Sequence, residues 1–328
     1  MIIKSKNFKY VVVIGTSAGG MKALIRLVST LPENFLAPIL IVQHISPEAE
    51  TTALMLALNK IGRLKCLEAK EGVKIEAGCI YIAQPDHHLL LRKQGIISIT
   101  KGAQENRFRP AIDPLFRSAA TSFGNRAIGI LLTGYLDDGT AGLIAIQRCG
   151  GTTIIQDPND ADYPDMPRNA LNQMKPHFCV ALNEIGFVLA NLLSKKLSKQ
   201  IPIPKDIIKE AAIAEQVLSD LPSVNALGEQ VPFNCPGCGG VLWKINSEKV
   251  SRYRCHTGHA YTASSLLIEQ TIKIKETMWT ALRMFEESRN LLTTLAKENK
   301  GAASKSANER AATAQIHIDR IRAILLSD

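Results

Sequence analysis

The chain lacks long apolar runs. Nowhere does an apolar stretch approach the ~20 residues that a membrane-spanning helix needs. The N-terminus, Met1–Tyr10, carries three lysines, but only the short run "VVVIG" follows, with no small-residue cleavage site behind it. This pattern differs from that of a secretory signal peptide. We therefore interpret the run as a buried first strand and expect a cytoplasmic protein.

Aromatic residues and dense basic blocks are also scarce. Aromatic side chains make up 5% of the 328 residues, and the formal charge of +9 is spread along the sequence. Nucleic-acid-binding proteins usually cluster their basic residues and add aromatic side chains for stacking. We therefore expect no nucleic-acid partner, and attraction to acidic protein surfaces explains the excess charge as well.

The first 195 residues alternate short apolar runs with helical patterns. Such alternation predicts an α/β fold, with a doubly wound, mostly parallel sheet covered by helices on both faces. Functional groups in these folds gather at the carboxyl ends of the strands, where Ser17, His44 and Asp138 fall. The predicted strands are "VVVIG", "APILIVQ", "CIYIA", "GIISIT", "AIGILL" and "GTTIIQ".

The α/β pattern stops near residue 195, and three further segments follow. We predict a linker with one short helix over 196–229, a cysteine-bearing module over 230–260 and a helical tail over 261–328. The tail carries an apolar stripe and a break at "KGAASKSANE". An αα-hairpin, an oligomerising coil and simple packing against the rest of the chain all remain open. The stripe consists of Leu267, Ile274, Met278, Leu282, Phe285, Leu292 and Leu295.

Ser17 lies in a glycine-rich turn between the first strand and the first helix. The stretch Gly15-Thr16-Ser17-Ala18-Gly19 fits the G-x-S-x-G pattern of a nucleophile elbow, which exposes the hydroxyl next to the amides of a helix N-terminus. A plain glycine-rich turn would look similar. A dinucleotide-binding turn fits less well, because a serine replaces its second glycine and no acidic residue closes the second strand.

A serine nucleophile needs a base and a carboxylate to orient that base. His44 follows the second strand, and "LLTGYLDDGTAG" supplies Asp137 and Asp138 after another strand. The order Ser…His…Asp differs from the Ser…Asp…His order of α/β-hydrolases, so another serine-hydrolase architecture is required. A histidine near a strand end can also be merely structural.

Six stretches in order give the sequence a specific resemblance. They span about Lys9 to Leu192 and resemble the catalytic domain of CheB-type chemotaxis methylesterases, the protein-glutamate methylesterases. The stretches are "VVVIGTSAGG", "IVQHIS", "GCIYIAQPDHHLLL", "RPAIDPLFRSAA", "GILLTGYLDDGTAGLIAI" and "GGTTIIQDPNDADYPDMPRNAL".

This resemblance assigns a catalytic triad to Ser17, His44 and Asp138, where Asp138 is preferred to Asp137 because it directly precedes Gly139. It implies hydrolysis of glutamate methyl esters, and deamidation of glutamines, on the cytoplasmic helices of methyl-accepting chemotaxis-type receptors. No cofactor is needed for this chemistry. The protein would meet the membrane only through the receptor.

Several departures from the family pattern bear on specificity and control. Tyr135 replaces the usual methionine and Ala18 the usual threonine, both near the expected acyl pocket. The family's phosphorylatable receiver domain does not precede the first strand, so control would be absent or come from a separate regulator. Arg109 or Arg168 could meet an acidic partner surface, and His88 could be a packing residue.

A cysteine–histidine cluster follows the α/β region. "CPGC" and "CHTGH" place Cys235, Cys238, Cys255 and His259 at the spacing of a tetrahedral Zn²⁺ site. His256 is the competing fourth ligand, but it directly follows Cys255. A closed four-ligand site would be structural and would supply folding energy to a small module.

The segment also resembles a zinc-ribbon-like extension of receiver-less family members. A redox role for Cys235 and Cys238 fits poorly, because no thioredoxin-like βαβ unit surrounds them. Two other functions stay open for the whole chain: a serine esterase or amidohydrolase with another substrate, and a non-catalytic adaptor that uses the ribbon and the helices.

Overall fold

The computed structural model describes residues 8–48, 51–197, 199–215, 221–245 and 251–327. The chain forms two compact units, Met1–Leu266 and Leu267–Asp328.

A seven-stranded parallel sheet forms the centre of the first unit. Its strand order is β3-β4-β2-β1-β7-β8-β9, and all neighbouring strands are parallel. The predicted doubly wound α/β fold is confirmed. The strands are β1 (Val11–Thr16), β2 (Ile39–Gln43), β3 (Lys65–Glu68), β4 (Cys79–Ile82), β7 (Ala127–Leu131), β8 (Thr152–Gln156) and β9 (Phe178–Val180).

Helices cover both faces of this sheet. Along β1, Val12 and Ile14 pack towards one face and Val11 and Val13 towards the other, because successive side chains of a strand point to opposite sides. Two separate apolar cores result. The helices are α1 (Gly20–Thr30), α2 (Thr52–Ile61) and α6 (Leu182–Ser194) on the first face, and α3 (Ile112–Phe123), α4 (Thr140–Arg148) and α5 (Asp165–Gln173) on the second.

The structure differs from the predicted strands in two ways. The run "GIISIT" forms β6 (Ile96–Thr100), which pairs antiparallel with β5 (His88–Arg92) in a separate two-stranded sheet. The runs that became β3, β5 and β9 were not predicted. In the large sheet, β3 and β9 are short and lie at the edges, where apolar patterning is weak because less of the strand is buried.

A second, antiparallel sheet lies in the cysteine-bearing segment, and we call it the ribbon. Its strands are β10 (Gly228–Asn234), β11 (Val241–Ile245), β12 (Arg252–Cys255) and β13 (Ala260–Thr262), paired in that order. The stretch "GGVLWKINSEKVSRYR" between the two ligand pairs predicts a β-hairpin, and its residues 246–250 lie outside the described residues. The segment predicted as a linker contains α7 (Lys205–Glu215), which buries Ile207 and Ile213, and α8 (Leu221–Asn225).

Two long helices form the second unit. They are α9 (Ala263–Glu298), which begins just before this unit, and α10 (Ala302–Leu325), and the chain reverses at Gly301, whose φ is 65°. Arg289 reaches Gln315, and Phe285 packs against His317, so the helices run antiparallel as an αα-hairpin. In the described parts of the chain, helices long and apolar enough to cross a bilayer are absent.

Candidate active site

Ser17 follows β1 directly and precedes α1, in the turn that the sequence predicts. Gly19 has a φ of +74°, a conformation that side-chain-bearing residues rarely adopt, and it brings the chain from strand to helix. Gly134 approaches closely from the loop after β7. A Cβ on Gly134 would lie 2.7 Å from the Cβ of Ser17, so only glycine fits there.

His44 and Asp138 meet in the interior next to this turn. His44 Nε2 lies 2.8 Å from Asp138 Oδ2, and both side chains are almost fully buried. Phe108 stacks on the imidazole, with ring centroids 3.7 Å apart. Since Nε2 donates to the carboxylate, Nδ1 is left as the basic nitrogen. Among the described residues Nδ1 has no hydrogen-bond partner.

The carboxylate of Asp138 is held by an unusually complete set of donors. Burial alone would raise the pKa of Asp138, but the hydrogen bond and charge of His44, with the other donors, outweigh burial and hold that pKa below its ordinary value. Asp138 therefore stays ionised. Besides His44, the donors are Asn106 Nδ2 at 2.9 Å and the amides of Ile112 at 2.7 Å, Gly139 at 2.9 Å and Asp113 at 3.3 Å.

Two of these amides belong to the first turn of α3. The positive end of the helix dipole therefore points at Asp138 and adds to its stabilisation as an anion. The pKa of Asp113, in the same turn, is shifted in the opposite direction. Burial and the negative charge of Asp138 raise the pKa of Asp113 to about 7.

Ser17 lies where two clefts meet. One cleft has a volume of about 570 Å³ and is shared with His44, Phe108 and Arg107. The other has a volume of about 680 Å³ and is also lined by Met21, Lys22 and Tyr163. Tyr135, half exposed, packs edge-on against Tyr163.

The turn also presents backbone donors. The Ser17 amide is bonded to the carbonyl of Thr133, at 3.0 Å, so it is not free for a ligand. Within the described chain, the amides of Ala18 and Gly19 enter no backbone hydrogen bond outside regular elements. They are the candidate donors to an oxyanion that forms beside the Ser17 hydroxyl.

The ribbon brings four potential metal ligands together. The ligand atoms of Cys235, Cys238, Cys255 and His259 all lie within 4.8 Å of one another, and His256 is not part of this group. The sulfur atoms of Cys238 and Cys255 are 3.7 Å apart, and Cys255 Sγ is 3.5 Å from His259 Nδ1. A tetrahedral ion with metal–sulfur bonds of about 2.3 Å holds its ligands roughly 3.8 Å apart. The donor set therefore fits a four-coordinate metal.

The other residues named from the sequence have structural contacts. His88 is buried, and its ring bonds the carbonyl of Ala103 and the amide of Ala111. Arg109 pairs with Asp86, whereas Arg168 is exposed on α5. Sequence reasoning missed Asn106 and Glu105. Their position a few residues before the matching stretch "RPAIDPLFRSAA" was the only signal available for them.

The described structure thus combines a parallel α/β sheet, a serine in a strand-to-helix turn and a buried histidine–aspartate pair beside a cleft that the serine lines. The family model described as CheB methylesterase matches residues 12–189. The chain therefore belongs to the CheB methylesterase family. The match ends before the ribbon.

Individual relatives agree with this family. A relative from Leptospira interrogans is 36% identical over 189 residues, which cover 58% of this chain and 97% of the relative. The protein-glutamate methylesterase FrzG of Myxococcus xanthus is 39% identical over 178 residues, 54% of this chain and 53% of FrzG. The crystal structure of the Thermotoga maritima CheB methylesterase catalytic domain superposes with a TM-score of 0.54 and 33% identity, over 57% of this chain and 99% of that domain.

Proposed function

We propose that this protein is a protein-glutamate methylesterase that hydrolyses glutamate methyl esters, and deamidates glutamines, on chemotaxis-type receptors. The proposal is carried by the family match together with the 2.8 Å contact between His44 and Asp138 in the cleft that Ser17 lines. Ser17 is the nucleophile, His44 the general base and acid, and Asp138 the group that orients the imidazole.

The acylation step follows from which ring nitrogen of His44 contacts Asp138. The Nε2 proton is donated to Asp138, so Nδ1 accepts the proton of the Ser17 hydroxyl as its oxygen attacks the ester carbonyl. The ionised Asp138 stabilises the imidazolium that forms. The tetrahedral oxyanion accepts hydrogen bonds from the amides of Ala18 and Gly19, each such donor being worth about 3–4 kcal/mol in the transition state.

Collapse of this intermediate breaks the carbon–oxygen bond to the leaving group. His44 Nδ1 returns its proton to that oxygen, and methanol departs. A glutamine would release ammonia by the same route. Water, deprotonated by His44, then attacks the acyl-enzyme, so that the glutamate carboxyl group and the free Ser17 hydroxyl are restored.

The proposed substrate fits the clefts that Ser17 lines. A methyl-esterified glutamate projects from the surface of its receptor helix, and Ser17 lines two clefts into which such a side chain can reach. The lysine and arginine side chains beside Ser17, Lys22, Arg26 and Arg107, suit the acidic surface left by unmethylated glutamates. Since the methyl-accepting helices of such receptors are cytoplasmic, the proposed location of the protein is the cytoplasm. Control by a separate regulator remains a prediction.

We also propose that the ribbon holds a structural Zn²⁺ through Cys235, Cys238, Cys255 and His259. Three sulfurs and one imidazole are a preferred zinc donor set, and the ligand spacing supports it. The metal would supply folding energy to the ribbon, whose own apolar core is small: Cys235, Leu242, Cys255, Tyr261 and Leu266.

Methanol release from a methyl-esterified receptor fragment tests the function. We expect release by the wild type and loss of at least about 10³-fold in Ser17→Ala, because the nucleophile is removed. Ser29→Ala, on the exposed part of α1, is the matched control and should keep the wild-type rate. If the folded wild type releases no methanol but Ser17 still reacts with a fluorophosphonate, the site is a serine hydrolase with another substrate. If Ser17 is unreactive as well, the result favours the non-catalytic adaptor over both enzyme functions.

A further inference from the structure

The ribbon contacts the loop next to the candidate triad. Residues 104–108, which we call the Asn106 loop, lie alongside β13. Asn106 donates its backbone N–H to the carbonyl of Ala260 at 2.8 Å, and Glu105 pairs with Ala260 as a parallel bridge. The Asn106 loop therefore continues the ribbon sheet.

The side chain of Asn106 links the ribbon to Asp138. Its Oδ1 accepts the backbone N–H of Thr262 in β13 at 3.2 Å. Its Nδ2 donates to Asp138 Oδ1 and to Asp113 Oδ2, each at 2.9 Å. The side-chain amide of Asn106 is buried, and both its oxygen and its nitrogen are hydrogen-bonded. Thr262 therefore helps to fix, from the ribbon side, the direction of Asn106 Nδ2, which donates to Asp138 Oδ1.

A buried ionic cluster fixes the same contact. Glu105 lies between Arg254 of β12, at 2.7 Å, and Arg117 of α3, at 2.5 Å. Glu210 of α7 pairs with Arg252 of β12 and lies 3.6 Å from Arg254. All five side chains are buried or nearly so. Buried ion pairs tolerate little displacement, because separation leaves an unpaired charge in the interior.

Two of the four candidate metal ligands, Cys255 and His259, lie at the turn between β12 and β13. The amide of Cys255 bonds the carbonyl of His259, and Arg254 bonds the carbonyl of Gly258. The turn that carries His259 therefore sets where Ala260 begins. The Asn106 loop also carries Phe108, which stacks on His44. Both the base and its carboxylate are thus in contact with one loop that the ribbon supports.

We propose that Asn106 is a positioning residue for Asp138, and that the Cys/His metal module holds Asn106 in place through β13. Metal occupancy of the ribbon then sets how reactive Ser17 is. The inference rests on the proposed function for its substrate, but its test does not need that substrate, because fluorophosphonate labelling reports the reactivity of Ser17 directly.

The first test removes the Asn106 amide. Asn106 has a φ of 49°, so Asn106→Gly deletes the side chain without backbone strain. We expect Ser17 labelling, and kcat for methanol release, to fall about 10- to 100-fold with KM little changed. The deshielded proton between His44 Nε2 and Asp138 should broaden or vanish from the NMR spectrum. Zinc content should stay that of the wild type.

A matched asparagine serves as the control. Asn59 also bridges two backbone atoms, the N–H and C=O of Cys66, but it lies at the end of α2, away from Ser17. Asn59→Ala should keep the wild-type labelling rate and the His44 proton signal. A general loss of stability would affect both variants, whereas a positioning role affects Asn106→Gly alone.

The second test removes a metal ligand. Cys238→Ser should lose the metal and lower Ser17 labelling by a similar factor, while Cys179→Ser, an exposed thiol on β9, should change neither. If the ribbon acts through Asn106, the double variant Asn106→Gly/Cys238→Ser should be no slower than the slower single variant.

Two results would overturn the inference. One is an Asn106→Gly variant that labels at the wild-type rate and keeps the His44 proton. The other is a double variant whose loss equals the product of the single losses. Should Cys238→Ser not fold, the metal is removed from the wild type with a chelator instead, and unchanged Ser17 labelling by the folded, metal-free protein also overturns the inference. A wild type that labels but releases no methanol contradicts only the proposed function.

Discussion

Asp137 and Asp138 are neighbours in sequence with different surroundings. Asp138 bonds His44, whereas burial raises the pKa of Asp137 in spite of its hydrogen bond with Thr262. We expect Asp138→Asn to lower kcat by about 10⁴-fold, because an amide at this position favours the wrong histidine tautomer. Asp137→Asn is the matched control and should retain most of the activity. Methanol release by both purified variants is the measurement, and equal losses would contradict the assignment of Asp138.

At the scale of elements, β12, α3 and α7 are joined by the buried charges around Glu105. Burial alone would raise the pKa of Glu105, but Arg117 and Arg254 hold it well below its ordinary value of 4.5. We expect Glu105→Gln to lower the free energy of unfolding by about 3–5 kcal/mol at pH 7, because it removes the nearer carboxylate from two buried guanidinium groups and leaves them only the more distant Glu210. The exposed pair Arg148–Asp206 supplies the control: Asp206→Asn should cost less than about 1 kcal/mol. The free energies of unfolding of these variants are compared by urea unfolding followed by Trp243 fluorescence. All of the proteins carry Trp279→Phe, so that Trp243 is the single tryptophan.

The same carboxylate gives a pH dependence with a definite sign. The pKa of Glu105 is lower in the folded than in the unfolded protein, so its contribution is present above about pH 4.5 and is lost as the pH falls below that value. Glu210, which is held by the same arginines, changes in the same direction. The wild type should therefore lose stability steeply below pH 4.5, and Glu105→Gln should show a shallower slope. Parallel slopes in the two proteins would contradict this origin.

At the scale of the whole molecule, the candidate triad and the candidate metal ligands all belong to the unit Met1–Leu266. The second unit has its own buried contact between α9 and α10. Ala311 is buried in the hairpin of α9 and α10, while Ala312, one residue on, is exposed. Ala311→Glu should destabilise α10 by about 1–3 kcal/mol through overpacking, and Ala312→Glu should not. Hydrogen exchange of the α10 amides should thus be faster only in the first variant. Ser17 labelling should be unchanged in both, and a loss in Ala311→Glu would show that the hairpin supports the site.

The sequence predicted much of the fold because its signals are local. The apolar runs of the central strands, the glycine turn around Ser17 and the C-x2-C pair are each complete within a few residues. Edge strands such as β3 lack a full apolar pattern and were missed. The run of β6 looks like a parallel strand, and its antiparallel pairing depends on β5, which the alternation of strands and helices does not reveal.

By itself, the sequence determined the fold class, the family and the identities of the candidate nucleophile, base and metal ligands. Only the tertiary structure decided which histidine nitrogen bonds Asp138 and where the ribbon lies. Asn106 and Thr262 are 156 residues apart, and Glu105 and Arg254 are 149 apart. Such contacts leave no local pattern in the sequence. They form only when the loop at residues 104–108 packs against the ribbon.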